Sequence, residues 1–253
     1  MRRLLLALLF LIVSPLSAEE TIVADLSQRR VAITTDFNGS EILIFGAVKR
    51  LAPLTSLEPL DVIITVSGPP SPVTVRRKDK IAIIWANRDE VEIDSAPSFY
   101  AILSSGPIED ILSETEDLRH KITKEKMIRS VDAGGVADAA AFTDALIRIQ
   151  QQKGAFYADE DAVSFDEQTL FRTTVDLPAN LTEGDYRTQI FLVRDGAVVS
   201  KFETDIAVQK VGLERFLYNL AYNQPLIYGL MSLAIAIIAG WLASALFSAF
   251  RRT

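Results

Sequence analysis

The sequence contains no cysteine, and His120 is its only histidine. Without cysteine there is no disulfide framework, so the stability of an exported domain has to come from a packed core. A zinc site would need mostly carboxylates, and a Ser-His-Asp arrangement would have to pass through His120. With Arg119 and Lys121 beside it, His120 reads as a solvated residue on a helix surface. Cationic clusters are also missing: the formal charge is −7, so the chain repels nucleic acid and anionic lipid rather than attracting them. No nucleophile-elbow pattern occurs. The Gly134-Gly135 pair lies between helical segments, without the spacing of a phosphate-gripping loop. These absences point away from the common enzyme chemistries, and no cofactor or metal is expected.

What is present lies at the two ends. From Leu226 to Phe250 no charged residue occurs, and Arg251-Arg252-Thr253 closes the chain. About twenty such residues cross the roughly 30 Å hydrocarbon core of a bilayer at about 1.5 Å per residue. Met1-Arg2-Arg3, the apolar stretch from Leu4 to Val13 and Ser14-Pro15-Leu16-Ser17-Ala18 read as a secretory signal peptide cleaved after Ala18. Leu16 is larger than the small residue usual there, and the alternative is an uncleaved N-terminal anchor. Either reading leaves the middle of the chain outside the cytoplasm, with arginines inside at both ends. The expectation is a single-pass protein of the bacterial inner membrane, its ectodomain in the periplasm and its C-terminus in the cytoplasm.

Residues 19–104 read as strands. Val31-Ala32-Ile33-Thr34, Ile42-Leu43-Ile44-Phe45 and Val62-Ile63-Ile64-Thr65-Val66 are β-prone, punctuated by Asn38-Gly39 and Gly68-Pro69-Pro70-Ser71-Pro72. Val73-Thr74-Val75-Arg76 follows, Lys78-Asp79 is expected to turn, and Ile81-Ala82-Ile83-Ile84-Trp85 resumes, with Trp85 plugging the core of a β-sandwich-like unit. Phe99-Tyr100-Ala101-Ile102-Leu103 suits either a strand or a helix start. In residues 105–154 the period changes to helical. Ala139, Phe142, Leu146 and Ile149 mark one apolar stripe near Val136–Gln152. Residues 155–210 return to strands, with an Asp195-Gly196 hairpin turn. Leu181-Thr182-Glu183-Gly184-Asp185-Tyr186 has the shape of a tyrosine corner, in which the Tyr186 hydroxyl satisfies backbone across the bend. The fold expected is mainly β: immunoglobulin-like sandwich units with an inserted helical segment, plus one C-terminal transmembrane helix. Residues 155–210 are either a second such unit or the closing strands of a single larger one.

Residues 211–224 carry Leu213, Phe216, Leu217 and Leu220 at helical spacing, with Tyr218 and Tyr222 beside them. Phe216, Tyr218 and Tyr222 suit an interfacial helix at the membrane surface. Pro225 then opens the spanning helix, residues 225–250, and residues 251–253 form a cytoplasmic tail. Ser232, Ala236, Gly240 and Ser244 recur every four residues, a small-residue face that admits another helix or a second copy of this one. Asp159-Glu160-Asp161 and Asp166-Glu167 lack the spacing and glycine of a calcium loop and read as solvated acidic turns. Asn38-Gly39-Ser40 and Asn180-Leu181-Thr182 match the glycosylation acceptor pattern.

Arg30-Val31-Ala32-Ile33, the block from Phe37 to Gly46, Pro97-Ser98-Phe99-Tyr100, the Leu181–Tyr186 corner and the C-terminal helix resemble the alphaproteobacterial transmembrane protein family over almost the whole chain. That family has no established activity, so the resemblance carries no catalytic residue to this chain. It does imply a partner, because its members are often encoded beside permeases like the TauE/SafE sulfite or organosulfonate exporters. On that basis the expected role is a non-enzymatic accessory protein working with an integral membrane partner. The rival expectation is a membrane-anchored solute-binding or enzymatic domain, with a pocket between the β units and the helical segment.

Overall fold

The computed structural model describes residues 20–50, 59–81, 83–128 and 139–250. Residues 1–18, expected from the sequence to be a signal peptide, and the expected tail 251–253 lie outside the described residues. The first seven strands are β1 (Glu20–Leu26), β2 (Arg30–Ile33), β3 (Ser40–Arg50), β4 (Asp61–Ser67), β5 (Pro70–Ile81), β6 (Ile84–Pro97) and β7 (Tyr100–Ser104). Helices α1 (Ile108–Ile111), α2 (Glu114–His120), α3 (Lys124–Met127) and α4 (Ala139–Gln152) follow. Strands β8 (Phe156–Asp159), β9 (Ser164–Asp166), β10 (Leu170–Leu177), β11 (Gly184–Arg194) and β12 (Ala197–Lys210) complete the β region. Helices α5 (Leu213–Asn223) and α6 (Pro225–Phe250) end the chain.

Two sheets face each other across a shared core. One has the order β1-β3-β10-β9 and the other β2-β12-β11-β4-β7-β8. Early and late strands therefore interleave: β3 lies between β1 and β10, and β4 between β11 and β7. Residues 19–104 and 155–210 are not separate units, and the reading as closing strands of one larger unit is the one realised. The physical reason is burial. Ile42 and Ile44 of β3 and Val175 of β10 find their cover in Val62, Ile64 and Ile190 of the opposite sheet, so neither segment closes a core by itself.

The sequence pattern tracks how many faces each sheet buries. On β10, Phe171, Thr173, Val175 and Leu177 point inward while their neighbours are open, the alternation of a sheet covered on one side. The run Val62–Val66 of β4 is buried on both faces. Its second cover is a distinct apolar cluster in which Ile63, Ile102 and Phe191 meet Phe142, Leu146 and Ile147 of α4. Phe99-Tyr100-Ala101-Ile102-Leu103, open between strand and helix in the sequence, yields β7 in that doubly covered sheet. On α4, Phe142 and Leu146 are buried as the stripe requires, but Ile149 is exposed and Ile147 takes the inner place.

Strands β5 and β6 pair only with each other, from Pro70↔Pro97 to Ile81↔Ile84. At about 3.3 Å per residue this hairpin is on the order of 35 Å long. Lys78-Asp79 does not turn the chain; the ladder shifts register there and the strand runs on. Trp85 does not plug a core either. It stands at the hairpin tip, 68% exposed, because the apolar run around it is the end of an arm rather than an inner strand.

Candidate interaction surfaces

Helix α6 opens at Pro225, where the missing N–H of the first helical position leaves no donor unpaired. Its stretch Pro225–Ser244 is long and apolar enough to cross a membrane, and none of it is buried against the rest of the protein. Ser232, Ala236, Gly240 and Ser244 are all exposed, and a Cβ built at Gly240 would meet nothing within 4 Å. The Ser232 hydroxyl donates to the Gly229 carbonyl at 2.9 Å, so the one polar tip in this turn is satisfied within the helix. On α5, Tyr218 and Tyr222 are exposed and stack one turn apart, with ring centroids 5.6 Å apart. Phe216 lies on the same helix, Leu213–Asn223.

A family model described as "Putative transmembrane protein (Alph_Pro_TM)" matches residues 21–249. The chain belongs to this family. It is a mainly β, membrane-anchored protein with one C-terminal apolar helix. No curated protein matches the Alph_Pro_TM chain. Among solved structures, the sporulation control protein Spo0M of Bacillus subtilis is similar at 10% identity, over 81% of this chain and 55% of that one, with a TM-score of 0.28. The chain thus spans about half the length of Spo0M, and a likeness at that level carries no argument.

Outside the anchor, three surfaces of this Alph_Pro_TM protein stand out. The first is the outer face of the four-stranded sheet, where Val23, Ala47 and Leu170 form one cross-strand row and Asp25, Phe45 and Arg172 the next. Val23 is 58% and Leu170 57% exposed, and an open cavity of about 540 Å³ lies over them. Gly46, between the outward Phe45 and Ala47, faces the core instead, where the Phe171 ring occupies the space a side chain would need, at 2.5 Å from an added Cβ. The second is the arm tip, with Ile83 90% exposed beside Trp85. The third is a polar pocket of about 230 Å³ between the arm root, the end of α4 and the Pro178–Thr182 corner, lined among others by Ser98, Lys153 and Tyr186.

Tyr186 is fully buried and holds that corner: its hydroxyl donates to the Thr182 carbonyl at 3.0 Å and accepts from the Thr182 N–H at 3.2 Å. Burial pushes its phenol up. Burial likewise pushes the Tyr157 phenol up to about 12 and raises Tyr100, whose hydroxyl donates to the Ile122 carbonyl at 2.8 Å. These phenols stay neutral at ordinary pH and act as backbone ties. Asp117 is another tie: it accepts from the Ile122 and Thr123 N–H groups and from the Thr123 hydroxyl, closing the end of α2.

His120 is not on a solvated surface. It packs against the Phe191 ring at 5.5 Å between centroids and lies 3.3 Å from Glu116, half-buried where α2 meets the six-stranded sheet. No group of three metal-ligating side chains is drawn together among the described residues, and Asp159-Glu160-Asp161 lies exposed. Sequence reading missed Glu20. Its carboxylate is buried between Arg50 at 3.0 Å and Arg194 at 2.9 Å, tying β1 and β3 of one sheet to β11 of the other. No local signal marks it, since Arg194 is 174 residues away.

Proposed function

We propose that this protein is a non-enzymatic, membrane-anchored accessory protein that assists an integral membrane partner such as a transporter. In this reading residues 1–18 are removed after Ala18, the immunoglobulin-like β region works in the periplasm, and α6 holds it in the inner membrane. One observation supports the proposal: α6 leaves its small-residue face open, a face on which another helix can approach closely. The family resemblance named for the sequence makes a TauE/SafE-like permease the first candidate for that helix. Co-purification from native membrane in mild detergent tests it. A stoichiometric membrane protein is expected with the native chain and is lost with Gly240→Leu while the β region stays folded; equal recovery from both sinks the reading.

A second reading has its own observation, the polar pocket at the arm root. There Lys153 supplies a cation beside the Ser98 and Tyr186 hydroxyls, so a small anionic solute is the ligand it favours. The volume is below the roughly 300–1,000 Å³ usual for ligand sites, which is why this reading comes second. A ligand-induced rise in melting temperature that Lys153→Ala abolishes would favour it.

A further inference from the structure

The arm and the membrane anchor leave the six-stranded sheet from one end. Strands β4 and β12 both pair antiparallel with β11, so they run the same way. At Gly68 and Pro69 β4 passes into the arm, and after Lys210 β12 passes into α5 and α6. The two exits are neighbours. Gly184, paired with Val208 near the end of β12, lies against Pro69 at the foot of the arm, where an added Cβ would stand 3.0 Å from the Pro69 side chain. The ladder crosses this joint without a gap. Between Ser67↔Tyr100 and Pro70↔Pro97, the Gly68 N–H donates to the Phe99 carbonyl at 2.8 Å and the Ser98 N–H to the Pro69 carbonyl at 3.1 Å. The arm is therefore rooted at the end of the sheet that the anchor holds to the membrane.

Length and chemistry suit the tip to that position. From Arg76 to Glu90 no described residue of the arm is buried, and Ile83, Ile84 and Trp85 at its end are all exposed. At about 3.3 Å per residue the arm is on the order of 35 Å long, against about 16 Å for α5, so its tip has the reach to meet the surface that α6 enters, even at a slant. Charge points the same way. Residues 78–88 hold Lys78, Lys80 and Arg88 against Asp79 alone, three cations to one carboxylate on a chain of net charge −7. Arg88 already neutralises Asp79 at 2.8 Å, while Lys78 and Lys80 have no ion-pair partner among the described residues. Lys80 is the cross-strand partner of Trp85. A tryptophan next to isoleucines and across from a lysine is the composition of a membrane–water boundary: the apolar carbon meets acyl chains while the indole N–H and the ammonium stay with the headgroups. Anionic lipid repels the acidic chain as a whole, but it attracts lysines held within a Debye length of its surface.

We propose that the tip of the β5–β6 arm seats Ile83, Ile84 and Trp85 in the interface of the membrane that holds α6, with Lys78 and Lys80 on anionic phospholipid headgroups. Three apolar side chains bind a bilayer weakly from solution, but the anchor makes this contact intramolecular and raises its effective concentration. Anchor and tip together then fix the tilt of the β region over the bilayer. The contact needs no protein partner, so it stands or falls independently of any helix that packs on α6.

Trp85 reports on its own surroundings once Trp241, the other tryptophan of the chain, is replaced. Full-length protein carrying Trp241→Phe is reconstituted in phosphatidylcholine vesicles with and without phosphatidylglycerol. Its emission is read against lipid brominated in the acyl chains and against acrylamide in the water. With phosphatidylglycerol present, the expected result is strong quenching by brominated lipid and weak quenching by acrylamide. Lys78→Glu together with Lys80→Glu, both exposed positions, is expected to cut the lipid quenching about threefold with unchanged circular dichroism, and omitting phosphatidylglycerol to do the same. A Trp85 quenched by acrylamide and untouched by brominated lipid would overturn the proposal, because the tip would stand in water. Shielding from both quenchers would overturn it too, and would give the tip to a protein surface such as a second copy. Lipid quenching that neither the lysine exchanges nor the lipid charge alters would also overturn it, since the seat would owe nothing to the headgroups.

Discussion

At the scale of single residues, the ties that matter are buried and polar. Breaking a buried ion pair by removing one charge costs about 3–5 kcal/mol, because the partner charge stays behind without compensation. Glu20→Gln should therefore lower unfolding free energy by about 3 kcal/mol in urea titration, the low end because Arg50 and Arg194 keep some contact with water. Tyr186→Phe removes the donor to Thr182 and should cost about 1–2 kcal/mol by the same measurement. For Tyr157 the folded pKa of about 12 exceeds the model-peptide value of about 10. The unfolded chain thus loses that proton first, and stability is full below pH 10 and falls as pH rises towards 12. Alkaline unfolding followed by tyrosinate absorbance should show that fall, and Tyr157→Phe should flatten it. None of these ties was legible except the Tyr186 corner, which is local in sequence. Glu20 and its arginines are joined only by the fold, and His120 was misplaced because its cover, Phe191, comes 71 positions later.

At the scale of elements, alternation and punctuation carried strand identity but not strand partners. Val62–Val66 and Leu170–Leu177 announce strands, one continuous and one alternating, and that difference also records which sheet is covered twice. The pairing of β3 with β10 is set by which apolar faces can close a core, and no local signal encodes it. The arm shows the opposite failure. Lys78-Asp79 looks like a turn and is a bulge, and Trp85 looks like a core residue because apolar runs in short strands are usually inner ones. Arg77 lies over the Phe142 ring, and beyond it the arm buries nothing, so replacing residues 78–88 by a two-residue turn should leave the unfolding free energy within about 0.5 kcal/mol of the native protein. Gly46→Val is expected to do the reverse. A side chain there meets the Phe171 ring and the Val23 carbonyl, and overpacking of this kind costs about 1–3 kcal/mol in calorimetry or urea unfolding.

At the scale of the whole molecule, a β region with its own two-sheet core is attached to a helix that finds no cover in that core. The family match and the unburied helix establish a membrane-anchored protein, and the arginines at both ends supply the reading of sidedness. A cysteine-free chain allows sidedness to be read with a single introduced thiol. Asp205→Cys, exposed on β12, is treated with a membrane-impermeant maleimide in intact cells whose outer membrane alone has been permeabilised. Labelling before lysis, to the extent seen after it, is what a periplasmic β region predicts. A thiol that reacts only once the inner membrane is broken would place that region in the cytosol and contradict the account.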